Sequence, residues 1–390
     1  MPGDRRQRIG AARGWRRRRS LRGSRRPRGL CDRDRRRARR QRRARAPRCC
    51  GPGSGRGAEL GAHRRADRRC LPGAVLRTTV LLLSVDEGAL LRHSLPAAIA
   101  QHGADVVVVD NASRDDTAAV AADHGVRHLG LAVRRSYAGA INAALAQTGG
   151  DAVLLLNADC FLAPGFLAAA RPRLAESGVG SVAVKLLRVA GPPPPALGEV
   201  DACGMSLDRR RKNGLVGHGA APATYARAGE AFGADGAAAL YRRETLEQCA
   251  YAEEVLDEDM AMWATDADLA WRARTLGWRC VFEPEAIGHH IRSYSPSTRA
   301  AMPEAARRQQ FRNRLLMIAK NETWAGVRRD GAWIAAYEVL ALGHALLRER
   351  ELLGGYVEAA RLLGGALARR RELAARRRVA RPPFGLEPRP

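Results

Sequence analysis

Three short runs constrain this chain more than anything else in it: "TTVLLLS" at 78–84, "DVVVV" at 105–109 and "AVLLL" at 152–156. Each is rich in Val and Leu with no polar alternation, the pattern of a strand covered on both faces. Each gives way to polar residues at its carboxyl end: Ser84, then Asp110-Asn111, then Asn157-Ala158-Asp159. Segments of helical spacing separate them, through Leu90, Leu91, Leu95 and Ile99 and again in "YAGAINAALAQ" (137–147). Strands alternating with helices predict a mostly parallel α/β sheet with helices on both faces. Ligands of such sheets bind beyond the carboxyl ends of the strands, so Asp110 and Asp159 border one predicted crevice. No Walker loop is present and no GxGxxG follows a strand. A nucleotide bound here would be held by carboxylates, with or without a metal, rather than by a glycine cradle.

Two helix starts carry capping signatures. Ser113-Arg114-Asp115-Asp116 reads as a capping box for a helix running to about His124, with Gly125 as its C-cap. Thr265-Asp266-Ala267-Asp268 reads as another, with Thr265 as N-cap and Asp268 at the third position. On that reading Asp268 belongs to the cap, and its loss costs no more than about 1 kcal/mol. Asp266 is left free at the positive end of the helix dipole, which favours its ionised form. "CVFEPEAIGHHIRS" (280–293) reads as a strand, a turn at Pro284 and a histidine pair. On a strand, His289 and His290 point to opposite faces, so one of them can face the crevice, with His290 preferred.

The net charge of +27 invites a nucleic-acid reading. Its distribution argues against one. Residues 1–70 hold 27 arginines, 5 acids and no lysine, so +22 of the +27 lies there. A stretch with no apolar periodicity cannot bury enough surface to offset chain entropy, and disorder is expected for residues 1–74. Three readings of that segment stay open: a polyanion-binding tail, a solvated tail, or an over-extended start from a GC-rich reading frame. The eight cysteines contain one close pair, Cys49-Cys50, and no CxxC. That spacing speaks against a zinc ribbon and fits a reducing cytoplasm.

The ordered blocks "VVVVDNASRDDT", "LLLNADC", "FGADGAAALYRRE", "TDADLAWRARTLGWRC" and "HHIRS" together resemble family 2 glycosyltransferases, close to their rhamnosyltransferase-like branch. The resemblance covers roughly residues 78–325. It implies a GT-A fold, a Rossmann-like catalytic domain over 75–325, followed by a C-terminal helical region over 326–390. It implies inverting, metal-dependent transfer of a sugar from a dTDP-, UDP- or GDP-linked donor to a hydroxyl of a glycan or lipid-linked acceptor, as in cell wall or polysaccharide synthesis. Asn157-Ala158-Asp159 then stands for the Asp-x-Asp-type motif, with Asp159 as metal ligand and Asn157 as a positioning group. Ser84, Asp86, Asp110, Asn111 and Gly236 fall where the donor is held, and Asp266 where the general base is expected, Asp268 being the alternative. The chemistry of the donor agrees with a metal. Charge builds on a departing diphosphate, and a divalent cation neutralises it. Mg²⁺ or Mn²⁺ takes oxygen ligands, and Mn²⁺ also accepts imidazole, so Asp159 with His290 is a sensible pair.

The chain departs from the family pattern in three places. Thr265 stands where a glutamate is usual, Ser84-Val85-Asp86-Glu87 where a Thr-Tyr-Asn-like turn is usual, and Val133-Arg134-Arg135 where an Asn-Arg-Gly-like segment is usual. These motivate one rival to an active transferase, a degenerate homologue that binds nucleotide sugar without turnover; a second rival, nucleic-acid binding, rests on the arginine-rich segment. "AWIAAYEVLALGHALL" (332–347) is interrupted by Glu338 and His344, too short and polar to span a bilayer. Helices from about Ala332 to Arg378, with Arg369-Arg370-Arg371 and Arg376-Arg377-Arg378, suit either a cap on the catalytic domain or the cytoplasmic surface of an anionic membrane.

Overall fold

The computed structural model describes residues 76–192, 196–294 and 296–390. The expected disorder of 1–74, the Cys49-Cys50 pair and most of the proline run at 192–195 therefore lie outside the described residues. The first half alternates as the apolar runs require: β1 (Thr78–Ser84), α1 (Gly88–Ile99), β2 (Ala104–Asp110), α2 (Thr117–Asp123), β3 (Arg127–Gly130), α3 (Tyr137–Leu145) and β4 (Ala152–Asn157). There follow β5 (Cys160–Leu162), α4 (Phe166–Ala175), β6 (Val179–Val189), β7 (Ala196–Ala202), β8 (Met205–Leu207), β9 (Asn213–Leu215), β10 (Gly229–Ala231) and β11 (Ala238–Arg242). The chain continues through α5 (Arg243–Cys249), α6 (Thr265–Thr275), β12 (Arg279–His290), α7 (Glu304–Asn321), α8 (Trp324–Leu347) and α9 (Leu353–Arg376).

Among the described residues the main sheet runs β10-β12-β6-β11-β4-β1-β2-β3, with β5 on β12 and β7 on β6. The half made of β4, β1, β2 and β3 is parallel throughout. β11 enters antiparallel between β4 and β6, while β12 runs parallel to β6. Alternate residues of the first strands go to opposite faces, and both faces are covered. Leu81, Leu83, Val107, Val109, Val153 and Leu155 pack towards α3 and α6. Val80, Leu82, Val106, Val108, Leu154 and Leu156 pack towards α1, α2 and α4. Each such fully buried side chain contributes roughly 1.5–3 kcal/mol, which is why these runs tolerate no polar alternation.

Three local expectations are corrected. Neither capping box forms. α2 begins at Thr117 with Asp116 as an N-cap whose side chain makes no cap bond and pairs with Arg92 instead, while Ser113 and Asp115 have longer-range partners: Ser113 Oγ accepts from Asp86 N (3.0 Å) and Asp115 from Gly88 N (2.7 Å). α6 begins at Thr265 after Ala264, which has φ 56° and makes no side-chain cap bond, so Asp268 caps nothing. β12 passes straight through Pro284 as one strand, and the irregularity there is a register shift against β6 between Glu283 and Ile287. A bulge accommodates the missing proline N–H where a turn was expected.

α7, α8 and α9 belong to the same compact unit as the sheet. α9 packs along α7, with the Phe311 and Tyr356 rings edge to face at 5.0 Å. Arg369 pairs with Glu254, Asp257 and Asp259, and Arg376 donates to the carbonyls of Gln248 and Ala250. These arginines of the C-terminal clusters thus staple α9 to the segment between α5 and α6.

Candidate active site

The parallel register sets Ser84 beside Asp110 and Leu83 beside Asn157, so the polar strand ends share one edge of the sheet. Around β1 and β2 they form an interlocked loop system. Asp86, at φ 58°, accepts from Arg114 N (2.7 Å) and from Arg134 Nη2 (2.6 Å). Asp110 accepts from Ser113 N (2.8 Å) and faces His128 Nε2 at 3.0 Å. Burial alone would raise Asp110, but Ser113 and His128 hold its carboxyl below the usual range. Asn111 is buried, its amide bracketing the backbone N–H and carbonyl of Arg135 at 2.8 and 2.9 Å. Ser84 is buried with its hydroxyl 3.1 Å from that of Thr117. Ser84, Asn111 and Asp110 are therefore buried in this edge, while the Asp86 carboxylate lies at its surface.

A second group gathers past β4. The turn Ala158–Asp159 leads into β5, whose antiparallel pairing sets Cys160 opposite His290 on β12. Asp159 is thereby carried to His290, with Oδ1 3.4 Å from Nε2. That oxygen is buried and makes no hydrogen bond. The other ring nitrogen of His290 lies 2.8 Å from Asp201 Oδ2, and Asp201 Oδ1 accepts from Arg292 Nε at 2.6 Å. Arg292 Nη2 donates to Asp235 Oδ2 at 2.9 Å. Next to Asp235, the amide of Gly236 donates to Asp266 Oδ2 at 3.2 Å. A Cβ at position 236 would stand 3.3 Å from that same oxygen, so glycine keeps the approach open. Asp159, His290, Asp201, Arg292, Asp235 and Asp266 thus form one polar chain along the carboxyl edge of the sheet.

The charges in this chain perturb one another. Burial opposes ionisation of His290, yet Asp159 and Asp201 raise it to about 9. Burial opposes ionisation of Asp201 too, yet His290 and Arg292 bring it down to about 2. Asp266 is pushed up to about 6 by burial and then by the charge of Asp235, against the amides of Ala267 and Gly236. The helix-dipole expectation for Asp266 is therefore overturned: it lies in the first turn of α6, and desolvation outweighs the dipole. Glu87, which follows the altered first turn, is pushed up to about 7 by burial and by Asp159.

The sequence-predicted residues therefore divide into two neighbouring sets and one outlier. Ser84, Asp86, Asp110 and Asn111 form the first, and Asp159, His290, Gly236 and Asp266 the second. Asn157 ends β4 between them, its side-chain amide without a hydrogen bond among the described residues. Asp268 stands apart. It is fully buried against Arg272 Nε (3.0 Å), Lys320 Nζ (3.0 Å) and Asn321 Nδ2 (2.7 Å), which leaves no room for an acceptor. Asp201 carried no sequence signal. Asp235 and Arg292 lay within the quoted blocks "FGADG" and "HHIRS" without being singled out.

Asp159 and His290 bring a carboxylate oxygen and an imidazole nitrogen within 3.4 Å of each other, donor types that could hold a divalent cation. Among the described residues no three His, Cys, Asp or Glu side chains form a metal cage. A cation held by this pair would take its remaining ligands from substrate and water, as Mg²⁺ and Mn²⁺ commonly do.

Residues 79–249 match the family model described as Glycosyl transferase family 2. This segment is a family 2 glycosyltransferase domain. The match stops at Cys249, so Asp266, His290 and Arg292, half of the polar chain, lie outside the matched residues. No curated protein matches the sequence. Among solved structures, GalNAc-T7 with UDP, GalNAc and Mn²⁺ is 13% identical with a TM-score of 0.52, over 64% of this chain and 48% of that one. The chain thus spans about half the length of that structure. Mannosyltransferase PcManGT from Pyrobaculum calidifontis, in complex with GDP-Man and Mn²⁺, is 20% identical with a TM-score of 0.45, over 78% and 87% of the two chains. S. aureus TarS 1–349 is 16% identical with a TM-score of 0.48, over 76% and 88%. The first of these likenesses shows that the family 2 domain has the GT-A fold.

Proposed function

We propose that the chain transfers a hexosyl or rhamnosyl unit, with inversion, from a nucleotide-diphosphate sugar to a hydroxyl of a glycan or lipid-linked acceptor, working at the cytoplasmic face of a membrane. The observation that carries this reading is the buried Asp159 Oδ1, which makes no hydrogen bond and lies 3.4 Å from His290 Nε2, at one end of a polar chain whose other end is the raised carboxyl of Asp266. A divalent cation at Asp159 and His290 would neutralise the charge that develops on the departing diphosphate. The Mn²⁺ named with GalNAc-T7 is in keeping with that. Asp201 acts on His290 from behind: a carboxylate on one ring nitrogen fixes the ring and directs the other nitrogen at the ligand, as in other histidine metal sites. Asp86 and Asp110, held ionised by local amides and by Arg134 and His128, would meet the nucleoside. Asp266, at the far end, would take the proton of the acceptor hydroxyl.

Asp159→Ala is expected to abolish metal-dependent turnover and to remove the thermal shift given jointly by Mn²⁺ and a nucleoside diphosphate. In the wild type that shift corresponds to about 2.7 kcal/mol when the ligand is at 100 times its dissociation constant. His290→Ala should act in the same direction less severely. A wild-type shift that survives both substitutions would place the metal elsewhere. A shift without any turnover, over a panel of UDP-, GDP- and dTDP-sugars, would favour the non-catalytic binder.

A further inference from the structure

We propose that the outer face of α8 is a docking surface for an anionic lipid bilayer. Of the fifteen large apolar side chains exposed on the described residues, eight lie on this one helix: Trp324, Val327, Trp333, Val339, Leu340, Leu342, Leu346 and Leu347. Leu340 is 72% exposed and Leu347 81%. Scattered exposed leucines are ordinary, but eight large apolar side chains on one 24-residue helix, five of them within residues 339–347, form a binding surface. Among the described residues no helix is long and apolar enough to cross a membrane, so α8 would lie along the surface.

Charge selects the occupant. The acidic groups near this face are neutralised from inside the protein: Glu338 by Arg314, Asp330 by Arg209 and Arg211, and Glu349 by Arg299. Arg328 and Arg350, one towards each end of the face, and Arg348 beside the latter are exposed and make no ion pair among the described residues. The uncompensated charge bordering the apolar face is thus positive, the complement of an anionic headgroup layer. The same arginines oppose a second copy. Antiparallel pairing of two α8 helices would set Arg328 against Arg348, and parallel pairing would set like against like. A groove of about 510 Å³ between α7, α8 and α9, lined by Leu315, Ile318, Ile334, Tyr356 and the Arg314-paired Glu338, shares Val339 and Leu342 with the face. Its apolar walls suit an acyl chain. The sequence had pointed to the helices from about Ala332 to Arg378 with their arginine clusters; of those arginines the fold turns Arg369 inward onto Glu254 and Asp259 and Arg376 onto the carbonyl of Gln248.

This surface gives the membrane placement proposed above a location, and it is independent of the sugar chemistry. Flotation of the full chain with phosphatidylcholine vesicles, with and without phosphatidylglycerol, tests it. The wild type should float with the anionic vesicles and do so less at high salt. Leu340→Glu with Leu347→Glu should weaken vesicle affinity by about tenfold or more, the scale of withdrawing a leucine from an apolar phase. Thermal unfolding and transfer to a water-soluble acceptor should stay unchanged, since both positions are exposed. Undiminished flotation of the double variant would overturn the proposal and assign binding to the arginine-rich residues 1–70. A dimer in light scattering that the same variant converts to monomer would also overturn it, making a second copy the occupant.

Discussion

Asp266→Asn is expected to lower turnover by about 10²-fold or more, the scale of a positioned general base, while making the protein more stable at neutral pH. Both effects come from one environment. The carboxyl is raised from an ordinary 3.8 to about 6 by burial and by the neighbouring charge of Asp235. In the unfolded chain it ionises near 4, and in the folded chain only near 6. Between those values the folded state holds the extra proton, so the stability it contributes is full below about pH 4 and is lost as pH rises through 6. Above that the folded protein carries the cost of an ionised, desolvated carboxylate, on the order of 2 kcal/mol for a partly buried group. Asparagine removes that cost. Its gain in thermal stability should therefore be present at pH 7–8 and absent near pH 4. The pH profile of kcat/KM should show the same group, falling by a factor of ten per unit below about pH 6 as the base is protonated. Nucleotide-sugar affinity should change little. Turnover that survives the substitution would remove Asp266 from the chemistry, whatever its effect on stability.

The sequence made this site legible only where neighbours in the chain are also neighbours in the fold. β1, β2 and β4 are covered on both faces, so their apolar runs are unbroken and their polar ends stand out; Asp110, Asn157 and Asp159 could be read directly. The helix starts misled because short-range capping competed with partners far along the chain. Ser113 and Asp115 bond to Asp86 and Gly88, 27 residues away. Asp201 was invisible for the same reason. It lies on an edge strand paired only to β6, and it reaches His290 and Arg292 across separations of 89 and 91 residues. The value of Asp266 was misjudged because sequence supplies the helix dipole but not Asp235, which loop 232–237 brings alongside.

Asp268 shows how much depends on such remote partners. As a helix cap its replacement by asparagine would cost about 1 kcal/mol or less. In the folded protein it instead joins two elements. On α6 it pairs with Arg272, and from α7 it receives Lys320 and Asn321, with Lys320 also paired to Asp257. All five side chains are buried, and burial, which would raise the Asp268 carboxyl, is outweighed by Lys320 and Arg272, which lower it. Removing one partner from a buried ion cluster leaves charge uncompensated and typically costs about 3–5 kcal/mol. Asp268→Asn is therefore expected to destabilise by about 3 kcal/mol or more at neutral pH. The sign follows from the lowered carboxyl: its contribution is full above the unfolded value near 4 and is lost as acid protonates the folded group. The wild-type and variant stabilities should accordingly converge as pH falls below about 4. Because this cluster fixes α6 to α7, it also fixes the first turn that presents Asp266. The molecules of Asp268→Asn that remain folded at low temperature should still turn over, and unfolding followed beside turnover separates the two effects. A variant that melts like the wild type yet has lost turnover would make Asp268 the base and Asp266 a bystander.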